Sequence, residues 1–201
     1  MTGRKINLDV IDEDSASQAI DFISKIADEN NIDWALVGGL AMNFYGSDRL
    51  TKDIDMISTK RLPMPKEKIV GQLRQGGERY QTETDKKRVL VDWIIRNDEF
   101  KALFREALEE AVIIDEIPII TPEWLVILKF IAGRFKDQED AVFLLSRKDL
   151  VNREIIKEKI IKHFGKAAWS LSKHGYHRWY DLADGKSRED ERNEKDGYID
   201  S

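Results

Sequence analysis

The sequence predicts a mixed α/β (α+β) protein, with a small mixed β-sheet core flanked by helices and a C-terminal helical bundle after it. Short apolar and alternating segments broken by turn residues run through residues 1–121, and helical periodicity takes over from Thr121. Hydrophobic residues make up 41% of the chain, enough to bury a core, and 35% charged residues supply its surface. The expected organisation is a core over 1–121, a helical region over 122–183 and a tail over 184–201. The tail is rich in both charges and poor in apolar residues, so its composition predicts disorder.

The elements follow in order. Ser15-Ala16-Ser17-Gln18 reads as a capping box, and Ala19, Phe22, Ile23 and Ile26 recur at helical spacing, which gives a first helix over 15–29. Trp34-Ala35-Leu36-Val37 is a short apolar strand that ends at Gly38-Gly39. Leu40 to Tyr45 suits a short helix stopped by Gly46. Thr51 to Ser58 alternates as a half-buried strand does. Pro63 and Pro65 mark a loop before a helix expected over Lys66–Arg74. Arg79–Glu83 and Val89–Arg96 read as paired strands around Asp85-Lys86-Lys87. A helix is expected over Asp98–Glu109, then a second hairpin of Val112–Ile114 and Ile117–Ile120, with Pro118 placing the latter at a sheet edge or a strand start. Thr121 as cap, Pro122 at the first helical position and Glu123 in the first turn open a helix over about 122–132. Helices over about 138–147, 150–163 and 166–180 complete the series, with Asp137 as a cap and Asp140 at its third position.

At roughly 150 residues per domain, 201 residues predict one or two domains. No cysteine is present, which excludes disulfides, thiolate nucleophiles and Cys-ligated zinc. No apolar run approaches the roughly 18–20 residues of a membrane span, and Met1–Val10 has no signal-peptide core. The expectation is a cytoplasmic protein without a membrane partner.

Asp53-Ile54-Asp55 is the most informative triplet. On a strand both carboxylates share one face, about 7 Å apart, while Ile54 and Met56 take the other. Two such carboxylates repel, and a Mg²⁺ ion shared with substrate phosphates resolves the conflict. The alternative is two solvated residues on an open sheet face. Asp92 stands alone in the apolar run Val89–Ile95, where a carboxylate needs a cation, a metal or several donors. It is either a third metal-site carboxylate or the partner of an arginine at the sheet edge. Gly38-Gly39, between a strand and a helix, allows close approach of backbone N–H groups to a phosphate, or is simply a tight turn. Lys129 lies in the middle of Trp124–Ala132, a helix apolar nearly all round. Its ammonium needs an anion, either a triphosphate or a structural carboxylate.

Val37-Gly38-Gly39-Leu40-Ala41, then Gly46, Arg49, Thr51 and Asp53-Ile54-Asp55, resemble the signature of the polymerase-β-like nucleotidyltransferases. The resemblance is closest to the minimal bacterial branch of antibiotic nucleotidyltransferases and abortive-infection type toxins. There a Leu-Lys-x-x-Ala-Gly-Arg-x-Lys-Asp pattern recurs, here Leu128 to Asp137. It covers roughly residues 15–145. Many relatives carry Gly-Ser where this chain has Gly38-Gly39, although Gly-Gly is usual in the toxin-like branch. The resemblance implies a nucleoside triphosphate as substrate, two Mg²⁺ ions held by Asp53 and Asp55, and Asp92 ligating one of them and helping to deprotonate an acceptor hydroxyl. The attack would be in line on the α-phosphorus, with pyrophosphate released. Lys129 is then a candidate phosphate contact, and Arg49 and Lys52 either touch phosphate or solvate a loop.

Residues 147–178 contain nine Lys or Arg against three acidic residues, a net +6 with His neutral, interleaved with Trp169 and Tyr176 and followed by Trp179 and Tyr180. Such a surface suits an RNA acceptor, tRNA for example, although aromatics at helical spacing also serve as core and the chain's pI of about 5.4 speaks against broad nucleic-acid affinity. His174 and His177 lack further ligands for a metal of their own. The expected function is transfer of a nucleoside monophosphate to RNA or to a protein partner, in a toxin–antitoxin or phage-defence setting. The alternatives are an antibiotic (aminoglycoside or lincosamide) nucleotidyltransferase and a non-catalytic, antitoxin-like nucleotide-binding protein. Oligomeric state is not encoded in any of these features.

Overall fold

A computed structural model describes residues 10–171 and 173–186, without the side chains of 171 and 173–176. The chain forms two compact units, Met1–Thr121 and Pro122–Ser201.

The first unit is a seven-stranded mixed sheet with three α-helices. Its strands are β1 (Trp34–Val37), β2 (Asp53–Ser58), β3 (Ile69–Gln72), β4 (Gly77–Glu83), β5 (Arg88–Ile94), β6 (Val112–Ile114) and β7 (Ile117–Ile119), in the order β3-β4-β5-β2-β1-β7-β6. Its helices are α1 (Glu13–Glu29), α2 (Gly38–Phe44) and α3 (Lys101–Glu109). β2 runs parallel to β5 and antiparallel to β1, and β1 runs parallel to β7. The sheet is strongly two-faced. Ile54 and Met56 of β2, Val89, Val91 and Trp93 of β5 and Tyr80 and Thr82 of β4 are buried and in register on one face. Asp53, Asp55, Asp92 and Arg79 alternate with them and lie on the other. Within the buried face, Arg61 forks onto Glu78, whose carboxyl it holds below the usual range, and the Tyr80 hydroxyl donates to Glu78 at 3.1 Å.

Several local expectations are corrected. α1 starts two residues early because Asp12, not Ser15, is the cap: its carboxylate accepts from the Ser15 N–H at 3.1 Å, and Ser15 is buried within the first turn. α2 begins at Gly38 itself. The stretch Lys66–Arg74 is a 3₁₀ turn (Lys66–Lys68) followed by strand β3, not a helix. Two β-branched residues and Gly71 disfavour helix there, and Gly76 and Gly77 close a turn back onto β4. Any side chain at Gly77 would sit 2.0 Å from the Trp93 carbonyl oxygen. Pro118 is not on an edge strand, since β7 lies between β1 and β6. It is tolerated because pairing with β1 is in register only at Leu36 and Ile119, past the proline.

The second unit holds α4 (Pro122–Ala132), α5 (Phe135–Leu145), α6 (Arg153–Leu171) and α7 (Lys173–Ala183). α6 is broken at Gly165, whose φ of 83° and ψ of 164° are not helical, so the two helices expected around this point join across a kink. α5 starts earlier than expected: Arg134 occupies the cap position, and Asp137 is the third helical residue, its carboxylate accepting from the Arg134 N–H at 3.1 Å. Trp179 is buried and packs edge-on against Phe130 with ring centroids 5.1 Å apart, and Trp169, His177 and Tyr180 pack together. Trp179 is therefore a core contact, and Trp169, His177 and Tyr180, half-buried, are engaged with one another. The side chains of His174 and Tyr176 lie outside the described residues, as do residues 187–201 of the expected tail.

Asp184, expected to open that tail, is instead tied down. Arg153 donates to it through Nη1 at 2.8 Å and Nη2 at 2.9 Å, and Lys148 Nζ is 3.3 Å away. The hydrogen bonds from Arg153 hold its carboxyl down at about 2. A depressed carboxyl stabilises the fold above its unfolded value of 3.8 and loses that contribution as pH falls through the folded value. The helical content of the protein is therefore expected to fall between about pH 4 and 2, and Asp184→Asn to flatten that limb in an acid titration followed by circular dichroism.

Candidate active site

The carboxylate face owes its geometry to strand pairing. β2 and β5 are parallel neighbours with Asp55 directly opposite Asp92, and Asp53 lies two residues back on the same side. Asp53 and Asp55 are half-buried, whereas Asp92 is only 5% exposed. The cation that such burial demands is present: Arg79, opposite Asp92 on β4, donates from Nε to Oδ1 at 2.5 Å and from Nη2 to Oδ2 at 2.7 Å. The same Nη2 is 3.7 Å from Asp53 Oδ2. The arginine partner weighed for Asp92 is thus found, although β4 is inside the sheet rather than at its edge.

The two glycines seat this face. Gly38 has a φ of +71°, and a Cβ on it would lie 2.0 Å from Asp55 Oδ2, so only glycine leaves room for that carboxylate. A Cβ on Gly39 would meet Thr51 Oγ1 at 2.9 Å and the Arg49 guanidinium carbon at 3.7 Å. Thr51 is buried, and its hydroxyl donates to the Asp53 carbonyl at 2.9 Å, fixing the entry to β2. Gly38, Gly39, Arg49, Asp53, Asp55 and Asp92 therefore form one neighbourhood. Lys52 is exposed beside it in the chain.

Lys129 belongs to the second unit, where α4 buries it to 6% exposure. Its ammonium pairs with Asp140 and lies 3.4 Å from Asp137 Oδ1, so structural carboxylates supply the anion that its burial requires. Asp137 is fully buried. Burial pushes its carboxyl up, but the Arg134 guanidinium at 2.6 Å and the charge on Lys129 outweigh this and hold it below the usual range.

The carboxylate face suits a hard divalent cation in its donor chemistry: three carboxylates, no nitrogen or sulfur donors, and two of the three reachable from solvent. The third is held by Arg79. Among the described residues no group of three or more His, Asp or Glu is arranged to hold a metal ion as the side chains now stand, with Asp92 paired to Arg79.

No protein-family model and no curated protein matches this chain. Its neighbours among solved structures include nucleotidyltransferase-like proteins. One is an antigenic nucleotidyltransferase-like protein from Paracoccidioides brasiliensis, with 15% identity and a TM-score of 0.47 over 81% of this chain and 94% of that one. A second is JHP933 from Helicobacter pylori, with 12% identity and a TM-score of 0.47 over 94% and 98%. A third is the antibiotic-resistance factor ANT(2″)-Ia, solved with adenylyl-2″-tobramycin, with 16% identity and a TM-score of 0.43 over 76% and 99%. At such identities the roles of individual residues rest on the geometry of this chain alone.

Proposed function

We propose that the protein is a magnesium-dependent nucleotidyltransferase that moves a nucleoside monophosphate from a nucleoside triphosphate to a hydroxyl of RNA. The observation that carries this reading is the parallel register of Asp55 with Asp92, with Asp53 on the same face, beside a glycine turn that admits a carboxylate and no side chain. The acceptor oxygen forms a bond to the α-phosphorus, the bond from that phosphorus to the bridging oxygen breaks, and pyrophosphate departs with the electron pair. The hydroxyl proton passes to a carboxylate, for which Asp92 is the candidate, or through it to water. Asp53, Asp55 and Asp92 would hold the metal ions, which when bound supply charge neutralisation for the attacking and leaving oxygens. Arg49, close to Gly39, and the exposed Lys52 are the candidate phosphate contacts on this unit. An RNA acceptor is favoured over a protein or an antibiotic by the net charge of +6 over residues 147–178.

The test is incubation with each α-labelled triphosphate, Mg²⁺ and total RNA, with cell extract and an aminoglycoside as parallel acceptors. Label on RNA, lost with chelator and in Asp53→Asn, is the expected result. Label on protein or on the aminoglycoside would reassign the acceptor, and tight nucleotide binding without transfer to any acceptor would overturn the enzyme reading.

A further inference from the structure

Arg79 is the feature of this face that the transfer reaction leaves unexplained. Its guanidinium crosses from β4 over β5 towards β2, forking onto both oxygens of Asp92 and reaching Asp53 at 3.7 Å. Its basicity is raised first by the hydrogen bonding to Asp92 and then by the charges of Asp92, Asp53 and Asp55, so all three carboxylates act on one cation. Two further features distinguish it from a fixed structural pair. The Arg79 side chain is 37% exposed while the Asp92 side chain is 8% exposed, so the cation approaches its partner from the solvent side and can leave without repacking the core. Beside it, Gly71 of edge strand β3 faces Arg79 in the antiparallel register, and among the described residues a Cβ there would meet within 4 Å just the Arg79 Cβ, at 3.8 Å. An open lane therefore runs over Gly71, on the face that Arg79 occupies.

We propose that Arg79 is an exchangeable internal cation, which holds Asp92 and Asp53 while no divalent ion is bound and withdraws over Gly71 when one binds. The inference rests on the transferase reading of the same carboxylates. The physical reason is competition: a divalent ion needs oxygens of Asp92 that the guanidinium fork now occupies, and once in place it repels that guanidinium. Arg79 acts through Asp92 and is a positioning residue. It keeps a buried carboxylate paired and aimed, at the cost of weaker metal binding.

The probe is Mn²⁺, bound to the full chain and read by calorimetry and by electron paramagnetic resonance, with wild type, Arg79→Met, Arg79→Lys and Arg79→Met/Asp92→Asn compared. Arg79→Met is expected to tighten Mn²⁺ binding by about tenfold or more, a loss of competition of the size that close charge pairs show. Arg79→Lys, which keeps the charge without the fork and keeps a pairing partner for Asp92 should the methionine variant fold poorly, should show a smaller gain. The gain should vanish in the double variant. Equal affinity in wild type and both single variants, or a gain that survives removal of Asp92, overturns the exchange while leaving the transferase reading standing. Absence of Mn²⁺ binding in every chain overturns both.

Discussion

Asp55→Asn is expected to lower nucleotidyl transfer by about 10³-fold while leaving the unfolding midpoint nearly unchanged. The substitution keeps the shape of the side chain, so the seat against Gly38, where only 2.0 Å separates Oδ2 from the place a Cβ would take, is preserved. What is lost is one of three negative charges aligned by the β2–β5 register. Removing that charge also relieves repulsion across the Asp55–Asp92 rung, so stability should hold or rise slightly. Initial rates of label transfer at saturating triphosphate, set beside thermal melts, separate the two effects. A variant retaining more than about a tenth of the wild-type rate would contradict the role of Asp55 in the transfer chemistry.

Lys129→Met is expected to destabilise the protein by about 3–5 kcal/mol, the range for breaking a buried ion pair by removing one partner. Lys129 is buried in α4, a helix whose Leu125, Val126 and Ile127 are fully buried, and its partners Asp137 and Asp140 are buried with it. Methionine fills the volume but removes the Lys129 ammonium from Asp140 and leaves Asp137 its pairing with Arg134. Replacing Asp140 as well, in Lys129→Met/Asp140→Leu, should recover much of the loss, because an apolar pair of similar volume avoids the desolvation penalty. Urea unfolding midpoints without nucleotide give the comparison. A single variant as stable as wild type would show that the buried pairing contributes nothing.

Much of this architecture is legible in the amino-acid order. The alternation through Asp53–Ser58 puts Asp53 and Asp55 on one face before any coordinates are considered, and Thr121-Pro122-Glu123 announces α4, whereas the place of Asp92 beside them depends on the pairing of β5 with β2. Arg79 was within reach of the same reasoning. Counting outward from the Thr84–Lys87 turn, Glu83 meets Arg88 and Arg79 meets Asp92, so the turn fixes the partner. The segment 66–74 carries a helical signal because Lys, Glu and Gln favour helix locally, whereas the pairing of β3 with β4 is a tertiary gain that a window of nine residues does not contain. Asp137 was placed as a cap because a short polar residue before an apolar stretch usually is one. Its service to Lys129, eight positions earlier, depends on how α4 and α5 meet.

The placement of Arg79 on β4 also bears on how the first unit assembles. Asp92 and Arg79 are 13 residues apart and join within a hairpin, a short loop to close, whereas Asp55 must find Asp92 across an intervening 36 positions. The near partnership has the lower closure cost on entropic grounds. When β2 docks, it brings its two anions to a strand whose own anion is already neutralised, so the step that creates the constellation does not have to climb the full repulsion between three acids.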